Sequence, residues 1–160
     1  MAIDSSDNVT ISGWSPHGNL PVTVAGGTFQ GGTADAYLAS FNSDFSALLN
    51  ARYLGAGGND VARDLASDSA GNLYLVGTTS SLDYPTTAGA WLTTLPAGTP
   101  TNTSYGTVAS LDSNLQLNAA TYLYRALPYA VHFDVSVTGG EVLLAGSSSV
   151  DFPYPCLLYT

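Results

Sequence analysis

One strand and the turn before it occur three times in this 160-residue chain, and no other feature limits the fold as strongly. The clearest copy is residues 68–77, which read DSAGNLYLVG. Weaker copies are residues 4–13 and residues 138–146, and all three close on a glycine at nearly equal spacing. A strand copied in this way indicates a repeat architecture, because one unit cannot bury its own apolar face.

The pattern between these copies predicts four short strands per unit, joined in meander order. The predicted strands of the central unit are residues 36–41, 48–54, 61–66 and 73–77, each bounded by Gly, Asn, Asp or Ser. No apolar pattern of helical period extends over ten residues, so no helix is predicted. The sequence therefore predicts an all-β fold of propeller blades, each a four-stranded antiparallel meander, in an incomplete ring.

The strands divide the chain into four segments. Residues 1–33 are predicted to be the C-terminal part of one blade with its loop, and residues 34–105 a complete blade with a long inter-blade loop. Residues 106–155 are predicted to be a diverged blade, and residues 156–160 a non-native tail. The tail breaks the repeat, contains the single cysteine and matches the translation of a transposase adapter used in sequencing libraries.

Charge excludes two classes of partner. The chain has no lysine, and three arginines face twelve acidic residues for a net charge of −9. Such a chain lacks the cations that neutralise phosphates, so nucleic acid and anionic membrane surfaces are not expected partners. No apolar run approaches the roughly 20 residues of a membrane span.

Three sequence stretches resemble a known family, the SBBP repeat of bacterial β-propellers. Residues 53–63 read YLGAGGNDVAR, residues 68–74 read DSAGNLY, and residues 78–87 read TTSSLDYPTT. The resemblance covers residues 34–91. It implies a large exported or surface-attached parent protein, so we expect an extracellular or cell-surface location. Residue 1 falls inside a unit, and we therefore expect the natural N-terminus, with any signal peptide, to lie upstream.

The Asp68 turn has two interpretations. Its spaced oxygens suggest a calcium loop, but the closing glutamate of a helix-flanked calcium loop would fall at Thr79. The alternative is a hairpin turn, in which Asp68 accepts backbone N–H groups and Gly71-Asn72 supplies the positions of positive φ. The sequence favours the turn, and no cofactor or metal ligand is assigned.

The function predicted from the sequence is a non-catalytic binding or structural scaffold. Tyr84, Trp91 and Tyr105, on or next to the long loop, are the candidate residues for stacking on a glycan or protein ligand. For Trp91, filling a gap between neighbouring blades is an alternative role. Neighbouring blades of the same parent chain are the other expected partners. A competing hypothesis is a hydrolase or lyase acting on polysaccharide, although the sequence singles out no pair of carboxylates as catalytic.

Overall fold

The computed structural model describes residues 1–100, 103–125, 133–138, 141–146 and 158–159. The described residues contain no helix, and therefore none of the kind that crosses a membrane. The strands in chain order are β1 Ala2–Ile3, β2 Val9–Ser15, β3 Asp35–Phe41, β4 Leu48–Leu54, β5 Asp60–Ser67, β6 Leu73–Thr79, β7 Tyr105–Leu111, β8 Leu117–Arg125, β9 Phe133–Thr138, β10 Glu141–Gly146 and β11 Leu158–Tyr159.

These strands form three antiparallel sheets. The first sheet has the order β1-β2-β3-β4, and the second has the order β5-β6-β7-β8. In the third sheet, β10 lies between β9 and β11. Each four-stranded sheet is a meander, and the sheets do not close into a ring. The predicted fold class, all-β with blades of an incomplete propeller, is confirmed.

The grouping of strands into sheets differs from the sequence prediction. Residues 34–105 were predicted to form one blade, but β3 and β4 pair with β2, whereas β5 and β6 pair with β7. The reason is the segment 55–59, which passes from one sheet to the next instead of turning back as a hairpin. The predicted unit begins with β3, whereas the second sheet begins with β5, so the sequence repeat and the sheet are offset by two strands. The segment boundaries given above stay a prediction, as does the origin of residues 156–160.

Each of the two long loops lies along the outer edge of its own sheet. In the first loop, residues 16–34, Thr23 donates its N–H to Ala51 O (3.0 Å), and its Oγ1 accepts the N–H of Ala51 (2.9 Å). In the second loop, which begins at residue 80, Thr87 makes the same two bonds with Ala120 (3.0 Å each). These edge loops occupy backbone groups of β4 and β8 that an edge strand would otherwise leave unpaired.

The core lies between the first and second sheets. Leu38 and Leu54 of the first sheet share one buried cluster with Leu65 and Leu75 of the second. A smaller cluster joins the second sheet to the third through Val76, Leu123 and Val135. Strand β5 lies at the centre, since it contacts β2 and β3 on one side and β9 on the other. The sheets are therefore held together face to face, as in stacked blades.

Four tight turns share one geometry. Their first residues, Asp4, Asn42, Asp68 and Asp112, each accept the backbone N–H of the residue three positions later. That later residue has positive φ in every case: Asp7 60°, Phe45 59°, Gly71 85° and Leu115 60°. In the Asp68 turn both carboxylate oxygens are engaged, Oδ1 by the N–H groups of Ala70 and Asn72, and Oδ2 by the Asn72 amide and the Tyr74 hydroxyl. Although burial raises the pKa of Asp68, these bonds hold it below its ordinary value.

Arg52 connects the first sheet to the second. Its side chain is buried, and its guanidinium donates to Leu115 O in the β7–β8 turn (2.8 Å) and to Tyr53 O (3.2 Å). Methionine would fill similar space but leave both carbonyls without these donors. We expect Arg52→Met to lower the free energy of unfolding by about 1–3 kcal/mol in urea denaturation followed by circular dichroism. The matched control is Arg63→Met at an exposed position, and an equal effect of the two would contradict this role.

Gly71 tests the shared turn geometry. A Cβ at this position would meet only Ser113 Cβ at 3.7 Å, so the cost of alanine is conformational rather than steric. We expect Gly71→Ala to destabilise the fold by about 1–2 kcal/mol, because a side chain is disfavoured at positive φ. Gly13→Ala, on β2 with open space around it, should cost nothing in the same urea titration.

Candidate functional site

The three aromatic residues predicted to stack on a ligand lie in different environments. Tyr84 and Tyr105 are buried in the core cluster, whereas the Trp91 side chain is 51% exposed. Tyr84 donates its backbone N–H to the Tyr122 hydroxyl (3.0 Å), and the two rings lie 5.9 Å apart. Burial raises the pKa of Tyr84 above its ordinary value. Tyr84 therefore holds the start of the edge loop in place, and its ring is closed to solvent.

Trp91 lies where the edge loop runs beside β8. The next residue, Leu92, donates its N–H to Thr121 Oγ1 (2.9 Å), and its carbonyl accepts the N–H of Tyr122 (3.1 Å). These bonds fix the backbone at Trp91 and leave the indole at the surface. Because the loop is attached to a strand at this point, the position of the indole is set by the sheet.

Two cavities meet at Trp91. The larger one, here called the aromatic pocket, has a volume of about 430 Å³ and is lined mainly by Trp91, Leu92, Leu95, Tyr105 and Leu123, together with residues 96–100. The structure thus brings Trp91 and Tyr105 into the lining of one pocket, although Tyr105 is buried. The smaller cavity, about 270 Å³, lies between the second and third sheets and is lined by Trp91, Val108, Val142 and Leu144 among others. Trp91 borders the gap between these sheets without filling it.

A second set of functional groups lies where the first sheet meets the second. Asp35 begins β3 and Asp60 begins β5; the two residues, here called the acid pair, are 0% and 1% exposed. Asp60 donates its N–H to Ala34 O (2.7 Å), and this bond brings the two strand ends together. The acid pair therefore lies at the joint between the sheets.

Each carboxylate of the acid pair is only partly satisfied. Asp35 Oδ2 accepts the N–H of Gln30 (2.6 Å), and Asp60 Oδ2 accepts the N–H of Ala56 and the Ser81 hydroxyl (2.8 Å each). The Oδ1 atoms of both residues are buried without a hydrogen-bond partner. A buried carboxylate oxygen with no partner is costly, so this joint is electrostatically strained.

Gly55 shows how close the two carboxylates are. A Cβ at Gly55 would lie 2.5 Å from Asp35 Oδ1 and 2.8 Å from Asp60 Oδ2, so both oxygens crowd the same point. Burial, and to a smaller extent the charge of Asp60, raises the pKa of Asp35 to about 6, against the hydrogen bond from Gln30. Burial also raises the pKa of Asp60, against a contact with the Thr79 hydroxyl and the hydrogen bonds from Ala56 and Ser81. Glycine is required at position 55 because any side chain would displace one of the acids.

One segment of the chain is also similar to a known protein family. Residues 50–85 match the family model for the SBBP repeat, described as a beta-propeller repeat. This segment is therefore similar to one SBBP repeat. No curated protein matches it. The matched residues lie inside the stretch that carried the resemblance, and together with the four-stranded sheets they support a fold of β-propeller blades.

The SBBP repeat extends from β4 to the start of the second edge loop, and it contains both Asp60 and the Asp68 turn. The sequence pattern indicates the turn but not the acid pair, because Asp35 and Asp60 are distant in the chain and belong to different sheets. Their position directly before an apolar strand was the available signal. The assignment of Tyr84, Trp91 and Tyr105 to ligand stacking stays a prediction. Calcium binding at the Asp68 turn, the interpretation that the sequence disfavours, stays untested.

The pKa of Asp35 predicts how stability depends on pH. Its pKa is about 6 in the fold, against the ordinary value of 3.8, so the folded state holds this proton more tightly than the unfolded state does. The resulting stabilisation is present at low pH and is lost as pH rises through about 6. With chelator present, we expect the wild type to lose about 2 kcal/mol relative to Asp35→Asn between pH 4 and pH 7, measured by urea denaturation. A difference that does not vary with pH would contradict the raised pKa.

Proposed function

We propose that this chain is a non-catalytic binding scaffold, part of an exported or cell-surface protein, which presents the second edge loop to a ligand. The observation that carries the proposal is the half-exposed indole of Trp91 at the rim of the aromatic pocket. Binding residues often lie on loops that a rigid framework positions, and the hydrogen bonds to β8 supply that framework here.

The chemistry of the pocket favours a protein ligand with an apolar or aromatic side chain. The lining is mostly aliphatic, aromatic and proline carbon, and its side-chain hydroxyls are those of Thr99 and Tyr105, of which the second donates to Pro100 O. The volume of about 430 Å³ lies within the range of small-ligand sites. A glycan would need several directed hydrogen bonds beyond the stacking that an indole provides, and it is the second candidate.

A location outside the cell is supported by the composition of the chain. Charged residues make up 9% of the sequence, so its surface is built largely from Ser, Thr, Asn and Gly. Exposed apolar side chains of the first sheet, among them Ile3, Ile11 and Leu49, offer a surface to a neighbouring blade of the same parent protein. A scaffold of this kind acts through assembly and binding.

The alternative function, a polysaccharide hydrolase or lyase, requires two carboxylates that reach a sugar chain in a cleft. Within the described residues, the acid pair resembles this arrangement most, and burial raises the pKa of Asp35. Both acids are completely buried, however, and a polymer cannot reach them without separating the sheets. Burial therefore favours the scaffold over the enzyme.

Removing the indole tests the binding function. We expect Trp91→Ala to weaken binding of a selected peptide about 30-fold or more, as truncation of a central aromatic contact does, without changing the circular dichroism spectrum. The ligand would be selected from peptide and glycan arrays probed with the full chain, and affinities would be compared by fluorescence anisotropy.

The matched control is Trp14→Ala, because Trp14 is 58% exposed but lies on β2 in the first sheet. It should bind like the wild type. Equal affinity of the Trp91→Ala variant and the wild type would contradict the proposal. Release of product from a polysaccharide, abolished in Asp60→Asn, would replace the scaffold with the enzyme.

A further inference from the structure

We propose that Asp35 and Asp60 bind a hard divalent cation, of the Ca²⁺ or Mg²⁺ class, at the joint between the first and second sheets. The proposal rests on the two buried oxygens, Asp35 Oδ1 and Asp60 Oδ1, that have no hydrogen-bond partner. Asp35 Oδ1 also lies close to Asp60 Oδ2, since both crowd the space above Gly55. Oxygen atoms of this kind are the ligands that hard cations prefer.

The donors around the acid pair occupy only one oxygen of each carboxylate. The N–H groups of Gln30 and Ala56 and the Ser81 hydroxyl all donate to the Oδ2 atoms. These bonds orient the carboxylates but do not neutralise them. Two negative charges excluded from water need a counter-charge, and a cation bound at the free oxygens would supply it.

A cavity lies next to residues that contact the pair, although neither acid lines it. This cavity, of about 350 Å³, is lined by Gln30, Gly55 and Ala56, the residues that surround the two carboxylates, and by Asp83. Asp83 is exposed and adds negative charge near Asp60. Arg52 also lines this cavity, but its guanidinium is hydrogen-bonded to the carbonyls of Tyr53 and Leu115. Water in the cavity would complete the coordination shell, which for these cations has six or more oxygens.

The next copy of the repeat differs at all three positions that form the site. Tyr105, the first residue of β7, takes the place of Asp35, the first residue of β3. The Tyr-Leu pairs at residues 53–54 and 122–123 align the two copies. Counted from these pairs, Tyr124 stands at the position of Gly55, and Tyr129 at that of Asp60. Both acids and the glycine that makes room for them are replaced together. This joint change is expected if the three residues serve one ligand.

Thermal unfolding of the full chain, followed by circular dichroism at neutral pH, tests the proposal. Addition of excess CaCl₂ or MgCl₂ to chelator-treated protein should raise the Tm of the wild type by roughly 5–10 °C once the cation is about 100-fold above its Kd. Titration calorimetry should show one saturable site per chain for the better of the two cations. Asp35→Asn and Asp60→Asn should lose both responses.

The control is Asp68→Asn, which removes one negative charge at a carboxylate whose oxygens already accept four hydrogen bonds. It should keep the cation response. In chelator, Asp35→Asn should melt at the same temperature as the wild type or higher, because it removes one of two like buried charges. This second measurement shows that loss of the response does not come from failure to fold.

Three results would overturn the proposal. One is a wild-type Tm that does not change with either cation. Another is a cation response that persists in Asp35→Asn, which would place binding elsewhere on this acidic chain. The third is a wild-type Tm that rises on acidification but never with cation, which would show that the two acids share a proton instead. None of these results bears on Trp91, so the proposed binding function is tested separately.

Discussion

The packing of one sheet against the next is the constraint on which the rest of the structure depends. No helical layer covers the sheets in the described residues, so their apolar side chains are buried only where two sheets face each other. Leu38 and Leu54 become buried because the second sheet lies over them, and Leu65 and Leu75 because the first sheet does. The edge loops, the Arg52 contact and the acid pair all lie around the margin of this interface.

Apolar contact alone does not fix how two sheets are aligned, because the hydrophobic effect has no direction. The directional bonds at the margin supply the alignment. Asp60 N–H to Ala34 O and Arg52 to Leu115 O join the first sheet to the second, and Val135 N–H to Asp64 Oδ2 (2.9 Å) joins the second to the third. Each bond uses a buried or half-buried polar group that would be unsatisfied in another register. These hydrogen bonds between sheets therefore select one alignment among the many that would bury the same apolar side chains.

Local sequence patterns predicted the strands well but not their partners. Alternating apolar residues and turn residues locate β3, β4 and β6 to within about two residues. The sheet that a strand joins depends on where its connecting segment leads. In this chain the length of the connecting segment does not predict that. The long loop at residues 16–34 joins two strands of one sheet, whereas the short segment 55–59, which resembles a hairpin turn, crosses to the next sheet. For the same reason the sequence did not bring Asp35 and Asp60 together, nor show that Tyr84 and Tyr105 are buried while Trp91 is not.

The two edge loops also indicate how a blade of this type gains new surface. Both are fixed to their sheets by a threonine, Thr23 or Thr87, bonded on both sides to an alanine of the outer strand. Between that threonine and the next strand, the second loop is longer than the first, and the extra length falls in the segment that forms the aromatic pocket. The strands that each loop joins, β2 with β3 and β6 with β7, form the same uninterrupted seven-pair ladder in both sheets. Sequence beyond the threonine is thus free to lengthen and diversify without disturbing the blade, which makes this loop the natural place for a propeller to acquire a new specificity.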